Sequence, residues 1–176
     1  GLGMMLLPIA LGIFLARKFI LSWRLFFAGA ITFVLSQVLH IPLLLWMTSV
    51  FKNGTLPNIP SGWTLLFNAV VLGLLAGIFE ETARYILFKY VLKSARSWNE
   101  GVFVGAGHGG IEALLAGISV LASLIFMSMY QSVDLATVAS IPAEQLELAR
   151  QQVTVFWSVP VYVPLLGVLE RVSALS

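Results

Sequence analysis

The sequence predicts an all-α, polytopic transmembrane helical bundle, and three observations carry that prediction. Apolar residues make up 59% of the 176 and charged residues only 10%, against roughly 45–50% and 25% in soluble globular domains. The mean hydropathy is +0.96. The apolar residues are also gathered into stretches suited to spanning, which takes about 20 residues at 1.5 Å rise each, while the charges collect mostly between them.

Five spans are expected, at approximately 2–16, 25–50, 64–92, 101–129 and 153–175, with an external segment at 130–152. The first is short. The chain begins Gly-Leu-Gly inside an apolar run and stops at Ala174-Leu175-Ser176, which reads as a piece trimmed at both ends. The 130–152 segment contains Pro142 followed by Glu144, Glu147 and Arg150, the pattern of a short surface helix leading into the fifth span. No internal repeat, low-complexity tract or soluble domain interrupts the series, so 1–176 is read as one membrane domain.

Arg17, Lys18 and Arg24 lie between the first two spans, and Lys89, Lys93 and Arg96 between the third and fourth. The other two connections carry only Lys52 and Arg150. By the positive-inside rule the 17–24 and 93–100 connections face the cytoplasm of a multi-pass protein whose N-terminus here lies outside. The net charge is only +2, and its basic residues sit in short connections, so a pI of 9.2 speaks for topology rather than for nucleic acid. The absence of cysteine removes disulfides, thiolate ligands and cysteine nucleophiles. Any metal must be held by histidine and carboxylates.

Charges inside spans are the informative positions, because each costs roughly 2.5–3.5 kcal/mol even on the lenient insertion scale. The third span holds Glu80, Glu81 and Arg84, the fourth holds His108 and Glu112, and the fifth ends with Glu170 and Arg171. A carboxylate at i+3 or i+4 from Arg84 could serve simply as its counter-ion. One would suffice, which leaves the second unexplained. His108 and Glu112 are four apart on one face. Gly101, Gly105, Gly109, Ala113 and Gly117 form a line of small residues on the neighbouring face, where close approach of another helix is expected at Gly105 and Gly109. Gly73 and Gly77 suggest the same for the third span. Counting from Lys89 and Glu100 puts Glu80 and His108 at one level, roughly 12–14 Å from the cytoplasmic surface on antiparallel helices.

Imidazole and carboxylate oxygens suit Zn²⁺, and a spare glutamate beside a metal-bound water is the usual general-base arrangement for peptide hydrolysis. Other intramembrane chemistries lack their residues. Asp134 is the single aspartate, no GxSG is present and no HExxH. A proton-relaying or cation-binding transporter and a non-catalytic scaffold remain as rivals; inverted repeats, the mark of many transporters, are not visible. On the second span Thr32, Ser36 and His40 are spaced by four with Gln37 beside them, and Pro42 is expected to kink the helix just beyond. That stripe reads either as interhelical glue or as part of the site and its water entry.

The run Glu80-Glu81-Thr82-Ala83-Arg84, then Gly107-His108-Gly109-Gly110-Ile111-Glu112, then Glu170-Arg171 resembles the YhfC-like intramembrane metalloprotease family, distantly related to the CAAX-protease and bacteriocin-processing membrane proteases. The resemblance covers about residues 30–176. It implies a bacterial cell-membrane hydrolase acting on a peptide or membrane-protein substrate, with a divalent metal, zinc by its ligand types. EExxR is one residue shorter than the EExxxR of the wider group, Glu112 is added after the histidine, and no histidine follows His108, so a further ligand lies beyond Ser176 or is replaced by Glu112 or Glu170. On this basis Glu80 is expected to act as general base and Glu81 as accessory acid. His108 is expected to contact metal or oxyanion, Glu112 to bind metal or orient His108, and Arg84 to hold a motif carboxylate, with Glu170 and His40 in support.

Overall fold

The computed structural model describes residues 1–135, 142–160, 162, 163 and 166. Among them every regular element is helical. Helix α1 runs Leu2–Phe19, α2 Trp23–Lys52, α3 Ser61–Ile86, α4 Trp98–Gln131 and α5 Leu146–Ser158. The first four are long and apolar enough to cross a membrane, so the protein is an all-α polytopic membrane bundle. Its outward side chains include Leu2, Ile31, Leu39, Leu65, Leu74 and Ile125, all exposed. In water that would be a defect; against lipid it is the solvated state.

The chain ends each helix by identifiable means. Arg17 and Lys18 stand in the last turn of α1, where cations suit the helix dipole. Ile20 then takes a positive φ of 53° while the Leu21 amide donates to the Ala16 carbonyl at 3.0 Å. This is a left-handed cap closed by a β-branched residue, at an expected strain of about 1–2 kcal/mol. Ser22 caps α2, its hydroxyl accepting from the Arg24 amide at 3.4 Å. α2 runs on through Pro42 to Lys52 as one helix.

α3 passes directly into a π-helical turn, Leu87–Val91, closed by the Leu92 amide on the Leu87 carbonyl at 2.8 Å. The Arg96 guanidinium covers carbonyls in and beyond it, donating to Phe88 at 3.2 Å, Leu92 at 3.1 Å and Ala95 at 2.9 Å. The next residue opens α4 with a reciprocal cap. Glu100 Oε2 accepts from the Ser97 amide at 3.0 Å and the Ser97 hydroxyl at 2.8 Å, and the Glu100 amide donates back to Ser97 Oγ at 3.3 Å, the S-x-x-E capping box.

The chain divides into two compact units, 11–111 and a second made of 1–10 with 112–176. In the first, Leu15, Phe103 and Ala106 form a buried cluster joined by Leu11, Leu21, Leu25 and Phe26. Trp23, Phe26 and Phe103 add edge-on or tilted ring contacts at 5.3–5.7 Å between centroids. In the second, Gly117 meets the Met5 side chain, and the Trp157 indole donates to the Met127 carbonyl at 3.4 Å. The helix expected after Pro142 is there, as a 3₁₀ turn Ala143–Gln145 followed by α5. Most of the fifth span expected at 153–175, including Glu170 and Arg171, lies outside the described residues.

Candidate functional site

The site is built on the unit 11–111, and its foundation is the crossing of α2 and α4. The buried face of α2 is Gly29, Thr32, Phe33, Ser36 and His40, a stripe at the spacing that keeps residues on one side of a helix. At its start the two backbones touch. A Cβ on Gly29 would run into the Val104 carbonyl and stand 3.0 Å from the His108 amide nitrogen, and a Cβ on Gly107 would run into the Phe26 carbonyl. The depth and rotation of His108 are therefore fixed by backbone against backbone. The contact differs from the one expected: Gly105, like Gly101, faces open space, and so do Gly73 and Gly77 on α3. The spacing of small residues was right for a close approach, but the packed face of α4 is the one carrying Val104, Gly107 and His108.

Gly107 and His108 being adjacent, the imidazole projects beside the crossing and is 5% exposed. The Phe33 ring meets it edge-on, 5.3 Å between centroids at 88°. Its Nε2 lies 3.3 Å from Glu80 Oε2 on α3. The equal depth inferred from residue counting corresponds to an actual pairing of these side chains. At 3.3 Å the bond is on the long side.

The two adjacent carboxylates part company. Arg84 Nη2 is 2.7 Å from Glu81 Oε1 and 3.7 Å from Glu80 Oε2. Glu81 thus serves as the counter-ion of Arg84, and Glu80 stands between Arg84 and His108. Side-chain exposure follows the same order, 20% for Glu80, 34% for Arg84 and 69% for Glu81. A carboxylate that is partly open, held by an imidazole on one side and approached by a guanidinium on the other, can accept a proton from a water and return it without leaving its place.

His40 is hydrogen-bonded within α2 and not to Glu80. It is 7% exposed and stacks on Phe79, the residue before Glu80, with centroids 5.5 Å apart and planes 24° from parallel. Its Nδ1 is 3.2 Å from Gln37 Oε1, and its buried Nε2 has no hydrogen-bond partner, a state that costs about 1–3 kcal/mol. Glu112 follows His108 by one turn on α4 and is half-buried. Glu170 lies outside the described residues. Sequence reasoning missed Phe33, Phe79, Gly29 and Gly107. The Gly29 and Gly107 contact had a usable signal, a glycine on each of two long apolar helices, but the two phenylalanines were indistinguishable from any others.

The donors assembled here are one imidazole nitrogen and carboxylate oxygens, the types that zinc accepts. Among the described residues, however, no three His, Cys, Asp or Glu side chains are grouped to hold a metal ion. A catalytic zinc takes three protein ligands, so the described residues do not complete such a site by themselves.

A family model described as YhfC intramembrane metalloprotease matches residues 3–176. The chain is 31% identical to the protein named "Uncharacterized membrane protein YhfC" of Bacillus subtilis (strain 168), over 97% of this chain and 65% of that relative's length. No solved structure matches it.

Proposed function

Because this chain belongs to the YhfC intramembrane metalloprotease family, we propose that it hydrolyses peptide bonds of membrane-associated substrates with Glu80 as general base. The observation that carries this reading is the Glu80 Oε2 to His108 Nε2 pairing at 3.3 Å beside a separate Glu81–Arg84 pair at 2.7 Å. A counter-ion role accounts for Glu81. It does not account for a second carboxylate turned to an imidazole on another helix.

In the proposed step Glu80 removes a proton from water as it attacks the scissile carbonyl, then delivers that proton to the leaving amine. His108 Nε2 orients the Glu80 carboxylate. Arg84, tied to Glu81 at 2.7 Å, helps to hold Glu80, 3.7 Å away, in position. The family description implies a metal, and zinc is the ion these donor types suit. When bound, it would polarise the carbonyl and acidify the water. We assign His108, the imidazole of this unit, to it.

The test is cleavage of membrane-anchored peptides by the full-length protein in liposomes, with elemental analysis alongside. Glu80→Gln keeps shape and fold and should lose about 10²–10⁴-fold in turnover; His108→Ala should lose bound metal as well as activity. Cleavage that persists in Glu80→Gln overturns the assignment. Chelator-insensitive proton flux altered by the same substitution would instead support a relay. We further place the 17–24 and 93–100 connections in the cytoplasm. Cysteines introduced at Ser22 and Ser97 should label only from that side and one at Asn58 only from outside, and the reverse pattern would invert the topology.

A further inference from the structure

The polar stripe of α2 forms one hydrogen-bonded chain whose direction can be read. The Ser36 hydroxyl donates to the Phe33 carbonyl at 2.7 Å, so its oxygen accepts from the Gln37 amide nitrogen at 3.1 Å. Gln37 then presents its carbonyl oxygen to His40 Nδ1 at 3.2 Å. An acceptor there requires Nδ1 to carry the proton, which leaves His40 Nε2 as a bare lone pair, buried and without a partner. Interhelical glue would use that nitrogen for a hydrogen bond across to a neighbour. What His40 offers its neighbour is the flat ring, laid on Phe79.

Both ends of the chain lead to the site. At one end Phe33, whose carbonyl anchors the chain, sets its ring edge-on to His108. At the other, the fixed imidazole of His40 sits on Phe79, whose neighbour is Glu80. α3 has no buried residue of its own among those described, and this stack ties it to α2 beside Glu80. We propose that His40 is a positioning residue that, through Phe79, holds Glu80 in register with His108. The inference rests on the Glu80–His108 pair being the working site, but its test reads the pair itself and not turnover.

¹⁵N-histidine NMR of the full-length protein in lipid nanodiscs is the direct measurement, with the His40 and His108 rings assigned by His40→Phe and His108→Gln. In the wild type His40 should be protonated at Nδ1 and bare at Nε2. Gln37→Leu should release that preference and give a mixture of tautomers. His40→Phe keeps a ring on Phe79 and should leave the His108 resonances in place. His40→Leu and Phe79→Leu remove the stack, and the His108 Nε2–H should exchange with water at least about tenfold faster as its bond to Glu80 opens. Unchanged His108 signals in folded His40→Leu and Phe79→Leu would overturn the proposal, as would an Nε2-protonated His40 in the wild type. If the leucine variants do not fold, His40→Phe still decides: displaced His108 signals there mean that the stack is not what positions the pair.

Discussion

α2 and the α3 segment are nearly equal in length, 30 and 31 residues as spans, and both carry polar side chains, but they are held in opposite ways. α2 buries a stripe of five residues, and its hydroxyls close on its own backbone, Thr32 on the Ala28 carbonyl and Ser36 on that of Phe33. α3 has none of its described residues buried, and its Glu80 reaches across to α4. Apart from His40 Nε2, the polar groups of this α2 stripe are satisfied within the helix, as lipid requires, which frees that helix to act as scaffold. The carboxylates of α3 pair with Arg84 on their own helix and with His108 on a neighbour. The site thus has one half fixed by backbone contact and one half held by side chains.

The strongest way to break this comparison is at the fixed half. Gly29→Leu or Gly107→Leu forces apart backbones that already touch, beyond the roughly 1–3 kcal/mol of ordinary overpacking, and should leave no folded protein on thermal melting in detergent. Gly73→Leu, Gly77→Leu and Gly105→Leu enter open space and should melt near wild type. If all five behaved alike, α2 and α3 would not differ as described.

At the side-chain half the effects should be smaller and should fall on activity. Glu81→Gln deprives Arg84 of its 2.7 Å partner, leaving Glu80 at 3.7 Å as the next carboxylate. Arg84 should then draw Glu80 away from His108 and lower turnover about tenfold, well short of the 10²–10⁴-fold of Glu80→Gln, with little change in melting. Equal losses from Glu80→Gln and Glu81→Gln would mean that the two carboxylates are not divided between base and counter-ion.

This division also marks what could be read from the sequence. The four spans were legible because hydropathy and length leave lipid as the only solvent for them. The level shared by Glu80 and His108 followed from helix rise alone. Which glutamate went to Arg84 did not, since i+3 and i+4 both suit a pair and the choice depends on where α4 stands. The packed face of α4 beside α2 was misread for a related reason. Small residues at every fourth position permit close approach, but Gly107, off that line, lies where Phe26 crosses. The π-helical turn at Leu87–Val91 was invisible too, because π-bonding follows from tertiary fit and leaves no periodicity of its own.

The smallest expected effect asks which contact sets the register of α4. Two devices could do so, the crossing with α2 at Gly29 and Gly107, or the connection from α3 in which the π turn, Arg96 and the Ser97–Glu100 capping box succeed one another. Ser97→Ala removes the hydroxyl that both donates to Glu100 Oε2 and accepts from its amide, a change worth about 1 kcal/mol for a serine N-cap. If the crossing sets the register, the loss stays local. The first turn of α4 frays, its amides exchange faster, and the His108 to Glu80 hydrogen bond and turnover are unchanged, because Val104, Gly107 and His108 still rest on α2. If the connection sets it, α4 can slide once its cap is gone, and turnover should fall by more than the small stability change accounts for. Hydrogen exchange of the first-turn amides, measured beside activity in the same preparation, separates the two, and the backbone contact at Gly29 leads us to expect the first.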